Sequence, residues 1–424
     1  MMNHSSRISQ RALFLLSGVL FVLLGAITAQ GATYYVATTG NDSSPGTLSR
    51  PFRTFARAVD VLQPGDTLYI RGGLYTEQID LQRNNKTGTA GAYITIAGYP
   101  SERPIIRYAS STEASYGPIK ARGNRGYLIF ENFVLDGVND TLQTGWSIAF
   151  GNHHFIARNI EIKNFKNSGL AIGGNDIQII NCKIHDQVSP SGQPGQRFYG
   201  IYWQSGSNGL IDGNEIYNNP GGGIQIYPGP VANLVVRNNS IHDNNPLASS
   251  VVGGILVQGK STTPITNTKI YNNLVYRNGS APTAVSAPGI QINAYANGTK
   301  VWNNTVYENK SEGIILRPYS TNTTVQNNIS YHNRSGNYLN TGTDTIYDHN
   351  LTTDPRFVNS DVFDFRLQAH SPAIRCGVIL SEVSTDIRGL LRSSGVDDGY
   401  DLGAYAFDGS DSNSPSAPRN VSIK

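Results

Sequence analysis

Two cysteines, two methionines and 15% charged residues in a chain of 424 exclude several kinds of protein at once. A disulfide-stapled scaffold needs cysteine at far higher density. A net charge of +3 supplies no basic face for a nucleic-acid backbone, so no DNA or RNA partner is expected. Long apolar runs are absent except for Ala12 to Ala26, and no segment beyond residue 62 carries the apolar spacing of a helix. What the chain has instead is 45 glycines, 23 tyrosines and many short β-like stretches such as VVRNNSIHDN.

The glycines are periodic. A glycine followed by an apolar residue recurs at Gly145-Trp146, Gly169-Leu170, Gly200-Ile201, Gly223-Ile224, Gly254-Ile255, Gly289-Ile290 and Gly313-Ile314, at spacings of 24, 31, 23, 31, 35 and 24 residues. Behind each glycine comes a second phrase. It aligns without gaps in Asn238-Asn239-Ser240-Ile241-His242, Asn272-Asn273-Leu274-Val275-Tyr276, Asn303-Asn304-Thr305-Val306-Tyr307 and Asn327-Asn328-Ile329-Ser330-Tyr331, and more loosely at Asn181-Cys182 and Gly213-Asn214. Repeats of this length stack, because no single unit buries its apolar face alone. Units made of strands without helices predict an all-β fold, a right-handed parallel β-helix solenoid. Coils about 4.8 Å apart let an asparagine hydrogen-bond its copies above and below, so the Asn columns read as structural ladders.

The ends differ from the repeats. Residues 1–31 carry Arg7 and Arg11, an apolar run and small residues at Ala29-Gln30-Gly31-Ala32, which reads as a secretory signal peptide, with an uncleaved anchor as the alternative. A secreted, extracellular, monomeric protein with no membrane segment after cleavage is the expectation. Phe52, Phe55, Ala56, Val59 and Leu62 predict an amphipathic helix stopped by Pro64-Gly65, inside an N-terminal cap over 32–75. Such a helix covers the open edge of a solenoid. Coils follow over about 127–350, then a C-terminal cap over 351–407. Cys182 and Cys376 lie about six coils apart, roughly 29 Å, far too distant to bridge, and Cys182 stands where other coils have the ladder Asn.

YYVATTGNDSSPGT (34–47), PFRTFARAV (51–59) and PGDTLYIRGGLY (64–75) resemble the opening of secreted right-handed β-helix proteins of the pectate-lyase-like superfamily. DPRFVNSDVFDFRLQAHSPAI (354–374) with DLGAYAF (401–407) resembles the ending of its bacterial members, and residues 408–424 read as a polar linker whose last residues, APRNVSIK, are similar to the first strand of a fibronectin III domain. The resemblance implies the fold more than the reaction, because the same frame serves lyases, glycosidases, epimerases and adhesins. The polygalacturonase signatures are absent. NCKIHD (181–186) looks like the start of a calcium-dependent lyase site, but QVSPSGQPGQRFYG (187–200) replaces the Asp-rich stretch that would hold the ion, so calcium is without sequence support. Asp186 and Asp243 read as turn residues beside the ladders rather than as ligands.

The outward face of the glycine-led strand remains. With the first apolar residue inward, a period of two sends two columns out. The nearer is Ser147, Ala171, Tyr202, Gln225, Leu256, Gln291, Ile315; the farther is Ala149, Gly173, Gln204, Tyr227, Gln258, Asn293, Arg317, with Lys260 two residues beyond Gln258. Amides with interspersed tyrosine suit a polysaccharide, whose hydroxyls need directional partners and whose rings need flat apolar ones. Insertions at 187–199, 243–253 and 277–288 all fall at one corner beside these columns and should build a wall. Gln204, Gln225, Tyr227, Gln258, Gln291 and Asn293 are the expected substrate contacts. The columns hold no Asp or Glu, so hydrolysis by a carboxylate pair fits poorly. Elimination at a uronate is favoured, with Lys260 as base, Arg317 and Arg197 as cations and Tyr202 or Tyr227 as proton donor. Hydrolysis, epimerisation and non-catalytic glycan binding are the alternatives.

Overall fold

The structure is a computed structural model that describes residues 31–108, 117–137, 144–188, 198–246, 251–279, 286–392 and 399–409. The signal-peptide reading of 1–31 therefore falls almost wholly outside the described residues, as does most of the 408–424 tail. Among the described residues three parallel sheets run the length of the chain: one of 12 strands from Thr33–Val36 to Ile346–Asp348, one of 11 containing the glycine-led strands, and one of 10 from Leu74–Tyr75 to Ile329–Tyr331. Each coil contributes a strand to each sheet in turn, which is the expected parallel β-helix. No described helix is long and apolar enough to cross a membrane.

A close approach explains the repeated glycine. A Cβ on Gly254 would lie 2.3 Å from Val275 Cγ1 and 2.5 Å from Gly289 O, and one on Gly289 would lie 2.4 Å from Val306 Cγ1. The corner is so tight that the core residue of the neighbouring sheet fills the space a side chain would need. Inward residues behind it, such as Ile224, Ile255, Ile290 and Ile314, are at most 1% exposed.

The asparagines form two ladders. In the first, Asn214, Asn239, Asn273, Asn304, Asn328 and Asn350 each donate Nδ2 to a carbonyl, and each of the first five also reaches the Oδ1 of the next coil's Asn at 2.8–3.0 Å. Cys182 heads this column, its backbone N donating to Asn214 Oδ1 and its thiol reaching Ala157 O. A second ladder, Asn219, Asn244, Asn278, Asn309 and Asn333, repeats the pattern five residues after each of the first five members. The Asn ahead of each first-ladder member takes the left-handed turn: Asn238, Asn272, Asn303 and Asn327 have φ between 48° and 58°. Asn tolerates that region better than most residues.

The capping helix is shorter than its apolar pattern. It spans Phe55–Val61, with Thr54 accepting from Arg57 N as N-cap. Phe52 stays outside it, bridging to Val36. Once the helix starts at Thr54, the i, i+3, i+4, i+7 face is Phe55, Ala58, Val59 and Leu62, all at most 1% exposed. Ala58, not Ala56, is the buried alanine. The chain after 350 returns along the outside of the last coils. Phe357, Phe365, Leu367 and Leu402 pack on Leu274, Tyr307 and Ile329 of the 10-stranded sheet, and Val383 packs on Tyr271 and Trp302 of the 12-stranded one.

Candidate functional site

The register of the 11-stranded sheet aligns the nearer column as read. Ser147 pairs with Ala171, then Tyr202, Gln225, Leu256, Gln291 and Ile315 follow in step. Its exposure changes along the axis. Ser147, Ala171, Tyr202 and Gln225 are partly open, whereas Leu256, Gln291 and Ile315 are 2%, 5% and 0% exposed. Val252, at the end of one insertion, joins Tyr199 and Leu256 in a small apolar cluster against Tyr202. This insertion end thus covers Leu256 instead of only standing beside the column. Gln291, expected on the open face, is buried; its Nε2 donates to Asn293 Oδ1 at 2.9 Å.

The farther column stays open. Tyr227, Gln258, Asn293 and Arg317 each donate their backbone N to the preceding coil's strand, to Trp203 O, Ile226 O, Val257 O and Ile292 O, which stacks them in one row of half-buried residues. Gln204 sits at a register shift between the pairs Ile172–Trp203 and Gly173–Ser205. An amide relay crosses the row, with Asn293 Nδ2 donating to Gln258 Oε1 at 2.9 Å. Lys260 is exposed in a tight turn closed onto Thr263, its ammonium 5.5 Å from the centre of the Tyr227 ring. Thr263 Oγ1 ties that turn back to Pro228 O at 3.0 Å. The structure therefore brings Tyr202, Gln204, Gln225, Tyr227, Gln258, Lys260, Asn293 and Arg317 onto one face. Arg197 lies outside the described residues.

Three exposed aromatics on this edge were missed. Tyr295 and Tyr319 are 41% and 71% exposed, with rings stacked at 6.1 Å and 11°. Both hold φ of 60° or more, a strained conformation for a bulky residue and one that concentrates at functional positions. They stand two residues after Asn293 and Arg317, as Lys260 does after Gln258, so extending the column by one more step would have found them. Phe150, 69% exposed, follows Ala149 at the other end.

A second charged cluster occupies the outer face of the 10-stranded sheet. His185, Tyr217, His242 and Tyr276 stack ring on ring at 4.6, 5.3 and 4.8 Å. Hydrogen bonding to His185 and to Lys163 holds the Glu161 carboxyl down at about 2, against the cost of burial; His242 and Lys183 do the same for Glu215, also to about 2. Burial opposes charge on His242, yet its bonds to Asp243 and Glu215 outweigh that and raise its pKa. Asp243 is held by Arg277 Nη2 at 2.5 and 2.6 Å, and Asp186 by His185 at 2.7 Å, both Asp residues at left-handed turns. These carboxylates are consumed in ion pairs and none is on the open row.

No group of three or more His, Cys, Asp or Glu among the described residues is placed to hold a metal ion. The open row offers amides, phenols and cations, whereas calcium takes carboxylate-rich oxygen shells. Its residues do not fit a calcium site.

Comparison with known proteins matches residues 34–350 to a Pel9A-like, right handed beta helix region. Pectate lyase L of Paenibacillus polymyxa (strain SC2) is 26% identical over 301 residues, covering 68% of this chain and 60% of that protein. The uncharacterized protein YwoF of Bacillus subtilis (strain 168) is 25% identical over 316 residues, 68% of this chain and 64% of its own length. The chain thus spans under two thirds of these relatives. Among solved structures, the pectate lyase Pel9A superposes with a TM-score of 0.64 at 20% identity, covering 90% of this chain and 97% of its own, which is a likeness of fold. A family match across three quarters of the sequence, on the coils just described, is decisive: the chain belongs to the Pel9A-like right-handed β-helix family.

Proposed function

We propose that this is an extracellular, monomeric protein that binds an acidic polysaccharide along the farther column and cleaves it by β-elimination. The observation that carries the reading is the composition of the open row: tyrosines, amides and two cations on a rigid parallel sheet, with no carboxylate among its residues. Hydrolysis needs two carboxylates flanking the bond. Elimination needs a base and positive charge. In this reading Lys260 takes the proton from the carbon α to the uronate carboxyl, and Arg317 neutralises that carboxylate as the carbanion forms. The electron pair then forms a carbon–carbon double bond as the glycosidic oxygen leaves with its sugar, accepting a proton from Tyr202 or Tyr227. The family match and the relatives named pectate lyase support the substrate class. Reading residues 1–31 as a signal peptide supports the location.

The exposure of Lys260 favours one other reading, glycan binding without cleavage. A screen of uronate polymers with ultraviolet detection of unsaturated ends separates the two. Under the lyase reading, Lys260→Ala abolishes product at intact binding. Products lacking the chromophore, or wild-type turnover in both Lys260→Ala and Arg317→Ala, refute the assignment.

A further inference from the structure

Beside the N-terminal end of the open row lies a groove of about 330 Å³, lined by Phe150, Gly173, Gly174, Asn175, Ser205 and Pro230 among others. Its size falls at the lower end of ligand sites. None of its lining residues ionises. One wall is the Phe150 ring, 69% exposed although the groove beside it could have covered it. The other carries Ser205, 3% exposed, whose Oγ has no hydrogen-bond partner. A buried hydroxyl without a partner is uncommon and calls for an explanation. Nearby, Asn175 Oδ1 accepts from Ser207 N and Oγ at 2.9 and 3.0 Å, which fixes the amide and leaves its N–H groups unclaimed by the protein.

Gly173 has a second reason to be where it is. Its backbone does not require glycine, since its φ is outside the left-handed region, and a Cβ there would meet Ser205 Oγ at 3.3 Å and Phe150 Cδ2 at 3.6 Å. A side chain would stand in the groove between the aromatic ring and the free hydroxyl. Pro230 of the groove lies three residues after Tyr227 of the open row. Phe150 precedes Lys260 by four coils, about 19 Å along the axis.

We propose that this groove is a subsite for an uncharged sugar ring, stacked on Phe150 and hydrogen-bonded to Asn175, with the enclosed Ser205 hydroxyl becoming a partner only as the Phe150 ring moves to stack. The proposal rests on the polysaccharide reading above and narrows it. A carboxylate placed here would lose water with no cation to receive it, which is costly. The cations stand further along, at Lys260 and Arg317. The polymer therefore has neutral units upstream of a uronate, either as a neutral sugar in the backbone or as a methyl-esterified uronate.

The test uses the full chain and three soluble probes: fully ionised polygalacturonate, the same polymer highly methyl-esterified, and a backbone in which galacturonate alternates with rhamnose. Affinity is read by titration calorimetry for wild type, Phe150→Ala, Gly173→Val and the double variant Lys260→Ala/Arg317→Ala. Phe150 is exposed, so its variant keeps the fold, and an unchanged melting temperature checks this. The expected result is that Phe150→Ala and Gly173→Val each weaken one or both neutral-containing probes about fivefold, the scale of one ring contact, and leave polygalacturonate unchanged. Which of the two probes responds tells esterified uronate from neutral sugar. Equal effects on all three probes, no effect in Phe150→Ala, or no binding of any probe by wild type overturns the subsite. If Phe150→Ala weakens binding while the double cation variant changes nothing, the uronate reading falls and the groove stands.

Discussion

Asn273→Ala removes the centre of the first asparagine ladder, and the structure sets the cost. Asn273 is fully buried. Its Oδ1 is the acceptor for Asn239 N at 3.0 Å and Asn239 Nδ2 at 2.9 Å; its Nδ2 donates to Asn304 Oδ1 at 2.9 Å, Val236 O at 2.9 Å and Tyr271 O at 3.0 Å. Alanine leaves the Asn239 N–H without its side-chain acceptor inside the coil, worth about 2 kcal/mol. The remaining contacts lose roughly 0.5 kcal/mol each, since their partners keep other bonds. The sum is about 4 kcal/mol, a large part of the 5–15 kcal/mol typical of a domain. Asn350→Ala is the control. It ends the same ladder half-buried, so water replaces what is lost and the cost is about 1 kcal/mol. Urea denaturation followed by circular dichroism measures both, and stacking couples the coils so that each variant unfolds in one transition. Equal midpoint shifts for the two substitutions would refute the ladder energetics.

Cys182→Asn should extend the same ladder, since the thiol already points at Ala157 O where other coils place an amide, and should raise stability by about 1 kcal/mol in the same titration. Burial pushes the Cys182 thiol up to about 12, whereas Cys376 is exposed, so a thiol reagent should label one site per native chain and two after unfolding. Glu215 is held at about 2, below its usual 4.5, so its contribution is present above pH 4.5 and is lost as pH falls towards 2; His242 is raised, so its contribution is complete below 6.5 and fades as pH rises through its folded value. Stability from this pair should peak between those limits, and Glu215→Gln should flatten both slopes in melting temperatures taken against pH. Tyr227→Ala should weaken polysaccharide binding while hardly moving the melting temperature; parallel losses would make the residue packing rather than recognition.

The sequence by itself determined the solenoid, because a parallel β-helix is written as local repetition. The glycine at each corner, the asparagine after each turn and the apolar residue between them recur at readable spacings, and the register that follows from them aligns Ser147 through Ile315 as one column and Tyr227 through Arg317 as another, while Gly173 pairs with Ser205 instead of Gln204. The second ladder carries a signal of its own, an Asn five residues after Asn214, Asn239, Asn273, Asn304 and Asn328, which reading the first column alone passes over. What only the tertiary structure decided is which outward residues meet solvent. Leu256 alternates outward just as Gln225 does, yet it is buried because Val252 folds back against it from an insertion that carries no periodicity. The helix boundary at Thr54, the return of Phe365 and Val383 along the outer faces, and the groove joining Phe150 to Ser205 across two coils share that cause. Strand period fixes the direction of a side chain, but its covering comes from segments distant in the chain, whose path no local pattern records.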